Sequence, residues 1–327
     1  MKKVAVIGLG NIATRHRHNL KILFPKCVLY AMSSSGRDSQ EVVSDCDHIV
    51  SSINDLIEEK VELVVIASPA PFHTKHALPL IEAGIPSLIE KPVTTNLQDA
   101  LLIQEAITKH RTPVAIGYCL RYLPSTKIMK DLLKENKIGR LYNVFIQIGQ
   151  YLPDWRPNKN YRNSVSANPS LGGGVLLELS HEFDYCQWLL GKVVVEHALL
   201  RTSEELDLEV EDLADITMTT KSGAVAHIHL DFIQRKAHRL CSFIGSEGRL
   251  DWDLIKNSII FTSSEQETII YKESEWDKNN MYLDMLEDFI AKIKGQKNNC
   301  ISLDEALQTI VLIEEIKQCS KNRILND

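Results

Sequence analysis

Three stretches of the chain carry residues whose types and spacing suit chemistry. Glu90-Lys91-Pro92 sets a lysine directly behind the short apolar run Ser87-Leu88-Ile89. A lysine ammonium can polarise a hydroxyl or carbonyl and hold negative charge that develops on oxygen; the plainer reading is a lysine in a surface turn. The second stretch runs from Gly172-Gly173-Gly174 to Asp184 and spaces Glu178, His181 and Asp184 three residues apart. On one helix they share a face, and a histidine flanked by carboxylates suits general acid–base work. The plainer reading has Glu178 in a local salt bridge and Asp184 orienting His181 or packing at a domain junction. The third is Gly8-Leu9-Gly10-Asn11-Ile12-Ala13, which follows Val4-Ala5-Val6-Ile7. Gly8 permits a tight turn, Gly10 lets the backbone approach a pyrophosphate, and Ala13 allows close packing of helix on strand. The helix behind the turn presents its N-terminal N–H groups to an anion.

These residues need strands and helices to position them. Apolar runs at Val28 to Met32, Leu63 to Ala67, Ser87 to Ile89 and Val114 to Gly117 alternate with helical stretches at His73 to Ala83 and Leu97 to Lys109. Asn96, with Asp99 three positions on, caps the second of these helices. Alternating β and α units predict an α/β Rossmann domain, a doubly wound parallel sheet, over residues 1–120. Past Pro124 the pattern changes. A helix near 125–136 leads to a strand at Leu141 to Ile148, then a loop rich in Pro, Asn and Tyr, then the three glycines and one long helix to Leu190. Asp215 to Thr220 and Ala224 to Phe232 flank a hairpin connection at Lys221-Ser222-Gly223. Strands at Leu240–Ile244, Arg249–Trp252, Ser258–Phe261 and Thr268–Tyr271 continue the meander, and two helices, Met281–Ile293 and Leu303–Ser320, close the chain. Strands in series predict an α+β domain over 121–327 with a mainly antiparallel sheet.

Composition narrows the class. A length of 327 residues suits about two domains, and a hydrophobic content of 44% suits globular cores. The net charge of −6 gives no reason to expect nucleic acid or an anionic membrane as partner. The seven cysteines are scattered and contain no C-x-x-C, which argues against a disulfide framework or a zinc site and suits a reducing, cytoplasmic setting. No apolar run approaches the roughly 18 residues of a membrane helix.

Weaker candidates complete the inventory. Ser33, Ser34, Ser35 and Arg37 stand where this fold meets the adenosine ribose. Hydroxyls and an arginine in place of an acid favour a 2′-phosphate, hence NADP(H) over NAD(H). Arg121 follows the fifth strand. Trp155, Arg156, Tyr161 and Arg162 lie in the long loop, where rings suit the apolar face of a sugar and arginines suit a carboxylate or phosphate. His227 and His229 alternate on one strand face and read as a polar sheet surface rather than metal ligands, so no metal is expected.

Taken in order, Gly8 to Ala13, Ala67-Ser68-Pro69 with His73, Ala83-Gly84, Glu90-Lys91-Pro92 and Gly172 to Asp184 make the chain resemble the Gfo/Idh/MocA family of nicotinamide-dependent oxidoreductases over essentially its whole length. The resemblance implies a Rossmann domain followed by a domain with a large open sheet, and homodimers or homotetramers formed through that sheet. It implies hydride transfer between a nicotinamide and a secondary alcohol or ketone of a sugar, cyclitol or sugar nucleotide. Lys91 and His181 are implied to be catalytic, with Glu178 beside them. With the readings above, Gly8, Gly10, Asn11, Ile12, Ser33, Arg37, Ser68, Pro69, His73, Glu90 and Lys91 are expected on the cofactor side, and Lys91, Arg121, Trp155, Arg156, Tyr161 and His181 on the substrate side. The family more usually has an aspartate four residues before the histidine; here a glutamate stands three before it. Two rivals remain: a nucleotide-binding regulator of the same fold without turnover, and a reductase of a non-sugar substrate.

Overall fold

The structure is a computed structural model that describes residues 1–36, 42–155 and 157–324. It divides into two compact units. One comprises Met1–Cys119 with Asn279–Ile310; the other comprises Leu120–Lys278 with the chain from Val311 onward. The sequence suggested a single cut at residue 120. The return of 279–310 to the first unit carries no marker in composition, because an amphipathic helix serves either core equally well.

In the first unit, β1 (Lys3–Ile7), α1 (Asn11–Leu23), β2 (Val28–Met32), β3 (His48–Val50), α2 (Ile53–Glu58), β4 (Leu63–Ile66), α3 (His73–Glu82), β5 (Ser87–Glu90), α4 (Leu97–His110) and β6 (Val114–Gly117) follow in sequence. The strands form one parallel sheet in the order β3-β2-β1-β4-β5-β6. Val4 to Ile7 and Leu63 to Ile66 are fully buried, as helix-covered parallel strands require. The order reverses direction between β1 and β4, which opens a crevice beyond the carboxyl ends of the strands. Asn96 caps α4, its Oδ1 accepting from the Asp99 N–H at 2.9 Å. Strand β3 was not anticipated: it has three residues and lies half-exposed at the sheet edge, too short to leave a period.

In the second unit, α5 (Pro124–Lys134) and β7 (Leu141–Gly149) precede a loop with 3-10 turns at Leu152–Trp155, Tyr161–Asn163, Val165–Ala167 and Pro169–Leu171. Next come α6 (Val175–Glu178), α7 (His181–Leu190), β8 (Val193–Arg201), β9 (Leu213–Thr220), β10 (Val225–Asp231), β11 (His238–Gly245), β12 (Arg249–Asp253), β13 (Ser258–Thr262) and β14 (Glu267–Lys272). The eight strands run β14-β13-β12-β11-β7-β10-β9-β8, antiparallel except for β7 beside β10. One face buries Ile146, Cys241, Trp252 and Ile228. Helices α5 and α7 close over it: Trp252 donates to the Ser125 hydroxyl at 2.9 Å and meets the Tyr185 ring edge-on at 5.3 Å. On the other face, register aligns Ile269, Ile260, Asp251, Ser242, Phe145, His227 and Thr217 in one row across the strands. Helices α8 (Asn280–Ile293) and α9 (Leu303–Ile324) end the described chain. Among the described residues no helix is long and apolar enough to cross a membrane.

The long helix expected from the glycines to Leu190 is two helices, broken at Leu179 and Ser180. Glu178 therefore closes α6 while His181 opens α7. Only His181 and Asp184 keep the helical spacing that the sequence suggested for all three.

Candidate active site

At the end of β1 the chain turns at Gly8 with φ +116°. A Cβ there would lie 2.5 Å from the carbonyl oxygen of Ala67, so the turn presses directly on the end of β4. Gly10 is the N-cap of α1 in extended backbone, with no side-chain cap and no acid in the first turn. A Cβ on Gly10 would meet nothing within 4 Å. The first N–H groups of α1, at Asn11 and Ile12, therefore stand at the positive end of the helix dipole without a side-chain cap. A pyrophosphate fits this chemistry. The buried Arg17 braces the turn from behind, donating to the Ser44 carbonyl at 2.7 Å, the Thr14 hydroxyl at 2.9 Å and the Gly8 carbonyl at 3.4 Å. Burial lowers its pKa from the ordinary arginine value. Past β2, the Ser33 and Ser35 hydroxyls lie 3.2 Å apart. Arg37 lies outside the described residues, as does Arg156.

Ser68, Pro69 and His73 follow β4. The His73 ring is buried between two main-chain carbonyls, Ser68 at 2.7 Å from Nε2 and Val93 at 3.1 Å from Nδ1. It was expected to contact a cofactor. At 1% exposure it braces the Ser68 loop against the segment behind Lys91. Burial lowers its pKa. The Ser68 hydroxyl pairs with His76 Nδ1 at 2.9 Å, and burial pulls His76 down to about 4. Glu90, also expected on the cofactor side, is 7% exposed and has two partners of its own. Its Oε1 meets His16 Nε2 at 2.6 Å, and its Oε2 accepts the Lys91 main-chain N–H at 3.1 Å. Lys91 follows β5 at the carboxyl edge of the sheet, on the same edge as the glycine turn.

In the second unit the glycine triplet serves packing. Gly174 has φ +100°, and a Cβ there would lie 2.4 Å from Glu211 Oε1; one on Gly173 would lie 2.7 Å from the Ser166 carbonyl oxygen. Glu211 takes the N–H groups that begin α6, Val175 through its main-chain oxygen at 2.9 Å and Leu176 through Oε1 at 3.3 Å. Burial raises its carboxyl pKa. Glu178 accepts the Ser166 hydroxyl at 3.1 Å.

Two arginine forks fix α7, the helix that His181 opens. Arg121 donates to Asp184 at 2.9 and 2.7 Å, and Arg239 donates to Glu182 at 2.7 and 2.9 Å. Both carboxylates are almost wholly buried. Bidentate pairs of this kind fix geometry as well as charge. Arg121, expected on the substrate side, grips Asp184 through its guanidinium and so helps to orient the helix that His181 opens. Glu182, Arg239, Glu211 and His16 were not singled out from sequence. Only the acids in the first turn of α7 offered a hint, through the helix dipole.

The long loop encloses a cavity of about 310 Å³ lined by Leu152, Trp155, Lys159, Asn160, Tyr161, Asn163, Ser164 and Ser166. Trp155 Nε1 and the Ser164 hydroxyl are buried without hydrogen-bond partners among the described residues. The Trp155 ring is braced edge-on by Phe232 at 5.4 Å, and the Tyr161 hydroxyl donates to the Leu206 carbonyl at 3.1 Å. Two of the substrate candidates thus share one cavity, and Ser166 connects its wall to Glu178. Elsewhere, His227 stacks on Phe145 at 5.0 Å. His229 lies between Asp231 and Asp215, at 3.1 and 2.6 Å, and these partners raise its pKa.

Comparison with known proteins finds two family models along the chain. Residues 2–118 match the oxidoreductase family NAD-binding Rossmann fold, and residues 126–251 match the GFO/IDH/MocA C-terminal domain. The myo-inositol 2-dehydrogenase of Thermotoga maritima is 25% identical, with 95% of this chain and 93% of that protein covered. The inositol 2-dehydrogenase of Streptomyces avermitilis is 28% identical over 69% of this chain, which spans 65% of that protein's length. Among solved structures, a levoglucosan dehydrogenase in complex with NADH superimposes with a TM-score of 0.83 at 17% identity, covering 98% of this chain and 97% of the other. An inositol dehydrogenase homolog from Azotobacter vinelandii complexed with NAD+ gives 0.81 at 15% identity, covering 98% and 95%.

Proposed function

The chain belongs to the Gfo/Idh/MocA family of oxidoreductases, and from that premise we propose that it moves a hydride between a nicotinamide dinucleotide and a secondary alcohol or ketone of a sugar, cyclitol or sugar nucleotide. The observation that carries this reading is the carboxyl edge of the parallel sheet. There an uncapped helix N-terminus behind Gly10 leaves room for a pyrophosphate, and Lys91 stands on the same edge at the end of β5. When bound, the nicotinamide supplies the hydride chemistry. The Lys91 ammonium donates a hydrogen bond to the reacting oxygen and holds the charge that develops there. In the oxidation direction His181 takes the hydroxyl proton, and in reduction it returns it. Glu178 stands behind this step as an acid held by Ser166. The substrate class is supported by the cavity of the long loop, where the Trp155 and Tyr161 rings offer apolar faces and Asn160, Asn163 and Ser164 offer polar groups suited to hydroxyls. It is supported also by the relatives, named for inositol and levoglucosan.

Three finer assignments belong to this reading. NADP(H) is preferred over NAD(H), because serines at 33 to 35 replace an acid at the ribose. The chain forms a dimer or tetramer through the sheet face that exposes Phe145, Val194, Ile244 and Ile269. It works in the cytoplasm, in keeping with seven unpaired cysteines. Titrating the protein with both cofactors, then offering a panel of cyclitols, anhydrosugars and sugar nucleotides, tests the reading. Cofactor reduction with at least one polyol supports it; no binding of either cofactor overturns it. Light scattering tests the assembly, and a monomer at micromolar concentration would contradict it.

A further inference from the structure

In the first unit His16 Nε2 and Glu90 Oε1 lie 2.6 Å apart, the histidine side chain fully buried and the glutamate 9% exposed. Burying a carboxylate is costly unless its oxygens find donors. Glu90 has one for each: His16 on Oε1 and the Lys91 main-chain N–H, 3.1 Å away, on Oε2. The carboxylate lies against β6 in the space that glycine leaves there: a Cβ on Gly117 would stand 3.0 Å from Glu90 Cδ and Oε2. His16 is boxed in turn by the Tyr282 ring, edge-on at 6.0 Å and 79°, over which the Arg15 guanidinium sits at 4.6 Å. Its other nitrogen, Nδ1, is buried with no hydrogen-bond partner among the described residues. An apolar residue would fill this space without that penalty, so the contact with Glu90 is what the histidine adds.

His16 lies on α1, the helix that begins at the Gly10 turn. The chain His16–Glu90–Lys91 is therefore a strut of two hydrogen bonds from the helix behind the dinucleotide turn to the peptide that carries the lysine. We propose that His16 is a positioning residue: through Glu90 it sets the place of Lys91 relative to the turn that receives the cofactor. The proposal rests on the role given to Lys91 above. A shift of about 1 Å at a reacting group can lower turnover by about a hundredfold, so a loose strut would be felt in kcat.

The test compares His16→Leu with His16→Gln, whose amide N–H can replace the donor at Nε2. Protein labelled with [ε-13C]lysine reports on Lys91 by NMR, its signal assigned by its loss in Lys91→Arg. In His16→Leu the Lys91 signal and its titration are expected to move, with kcat down about tenfold or more and cofactor Kd within about threefold; His16→Gln should restore all three towards wild type. A Lys91 signal that superimposes in wild type and His16→Leu overturns the proposal, as does equal impairment of both variants. Should His16→Leu fail to fold, Glu90→Gln serves instead. It keeps the shape of the side chain, and an unmoved Lys91 signal at near-native stability refutes the strut. The NMR readout needs no substrate. Absence of turnover with every alcohol would therefore sink the proposed function and leave this test standing.

Discussion

Alanine at the two glycines of the dinucleotide turn should separate folding from cofactor binding. At Gly8 the backbone has φ +116°, and the added methyl would lie 2.5 Å from the carbonyl oxygen of Ala67. A side chain at such a φ costs about 1–3 kcal/mol. The clash adds to it, because the obstacle is main chain and no rotamer change relieves it. Gly8→Ala should therefore lose about 3 kcal/mol or more from a typical domain stability of about 5–15 kcal/mol. At Gly10 the backbone is extended and the methyl meets nothing within 4 Å. Gly10→Ala should leave the free protein within about 1 kcal/mol of wild type, the gain from a less flexible unfolded chain offset by alanine's poorer fit at an N-cap. The same methyl stands where phosphate oxygens must approach the first N–H groups of α1. Blocking one charge-assisted hydrogen bond removes about 1.5–3 kcal/mol, or roughly ten- to a hundredfold in Kd. Urea denaturation and fluorescence titration with NADH and NADPH on the three proteins decide the matter. Equal destabilisation by both substitutions, or unchanged cofactor affinity in Gly10→Ala, would refute the account of the turn.

Asp184→Asn should cost about 3–5 kcal/mol by leaving Arg121 buried without its carboxylate, and adding Arg121→Met should recover most of that loss in urea denaturation; strict additivity would mean that the fork does not couple them. Acid should weaken the fold through His76: its folded pKa of about 4 lies below the unfolded value of about 6.5, so the unfolded chain binds the proton first. The stability it contributes is complete above about pH 6.5 and falls as pH drops towards 4, by up to about 1.4 kcal/mol per pH unit. A His76→Asn variant with the same acid profile as wild type would refute this. His229 has the opposite sign, since its raised folded pKa gives stability that is full below about pH 6.5 and lost as pH rises through the folded value. Ser33→Asp should turn cofactor preference towards NAD(H) by repelling a 2′-phosphate, measured as the ratio of the two Kd values; an unchanged ratio would place the ribose elsewhere.

The parallel sheet was legible because its strands are short, apolar and punctuated by glycine and helix caps. Val28 to Met32 and Val114 to Gly117 appear with the bounds that the sequence suggested. The edge strand β3 was not legible, being three residues long, nor was the break at Leu179 and Ser180. Neither residue there is a helix breaker, so the interruption is imposed by packing. In the site, the glycine turn could be read because the backbone at Gly8 demands it, and the glutamate-lysine-proline segment because it closes an apolar strand and matches the family's pattern. Long-range partners could not. His16 and Glu90 are 74 residues apart and Arg121 and Asp184 are 63 apart, and no spacing rule connects them. For this reason the contacts of Arg121 with Asp184 and of His73 with the Ser68 and Val93 carbonyls had no signature in the sequence.

The most direct test of the central claim is the initial rate of nicotinamide reduction by wild type, Lys91→Ala and His181→Ala at saturating cofactor, with the best alcohol from the polyol panel. Wild type should turn over, each variant should lose about two or more orders of magnitude, and cofactor Kd should stay almost unchanged, since neither residue belongs to the Gly8–Gly10 turn proposed to take the pyrophosphate. Wild-type rates in either variant, or a loss explained wholly by failure to bind cofactor, would contradict that claim.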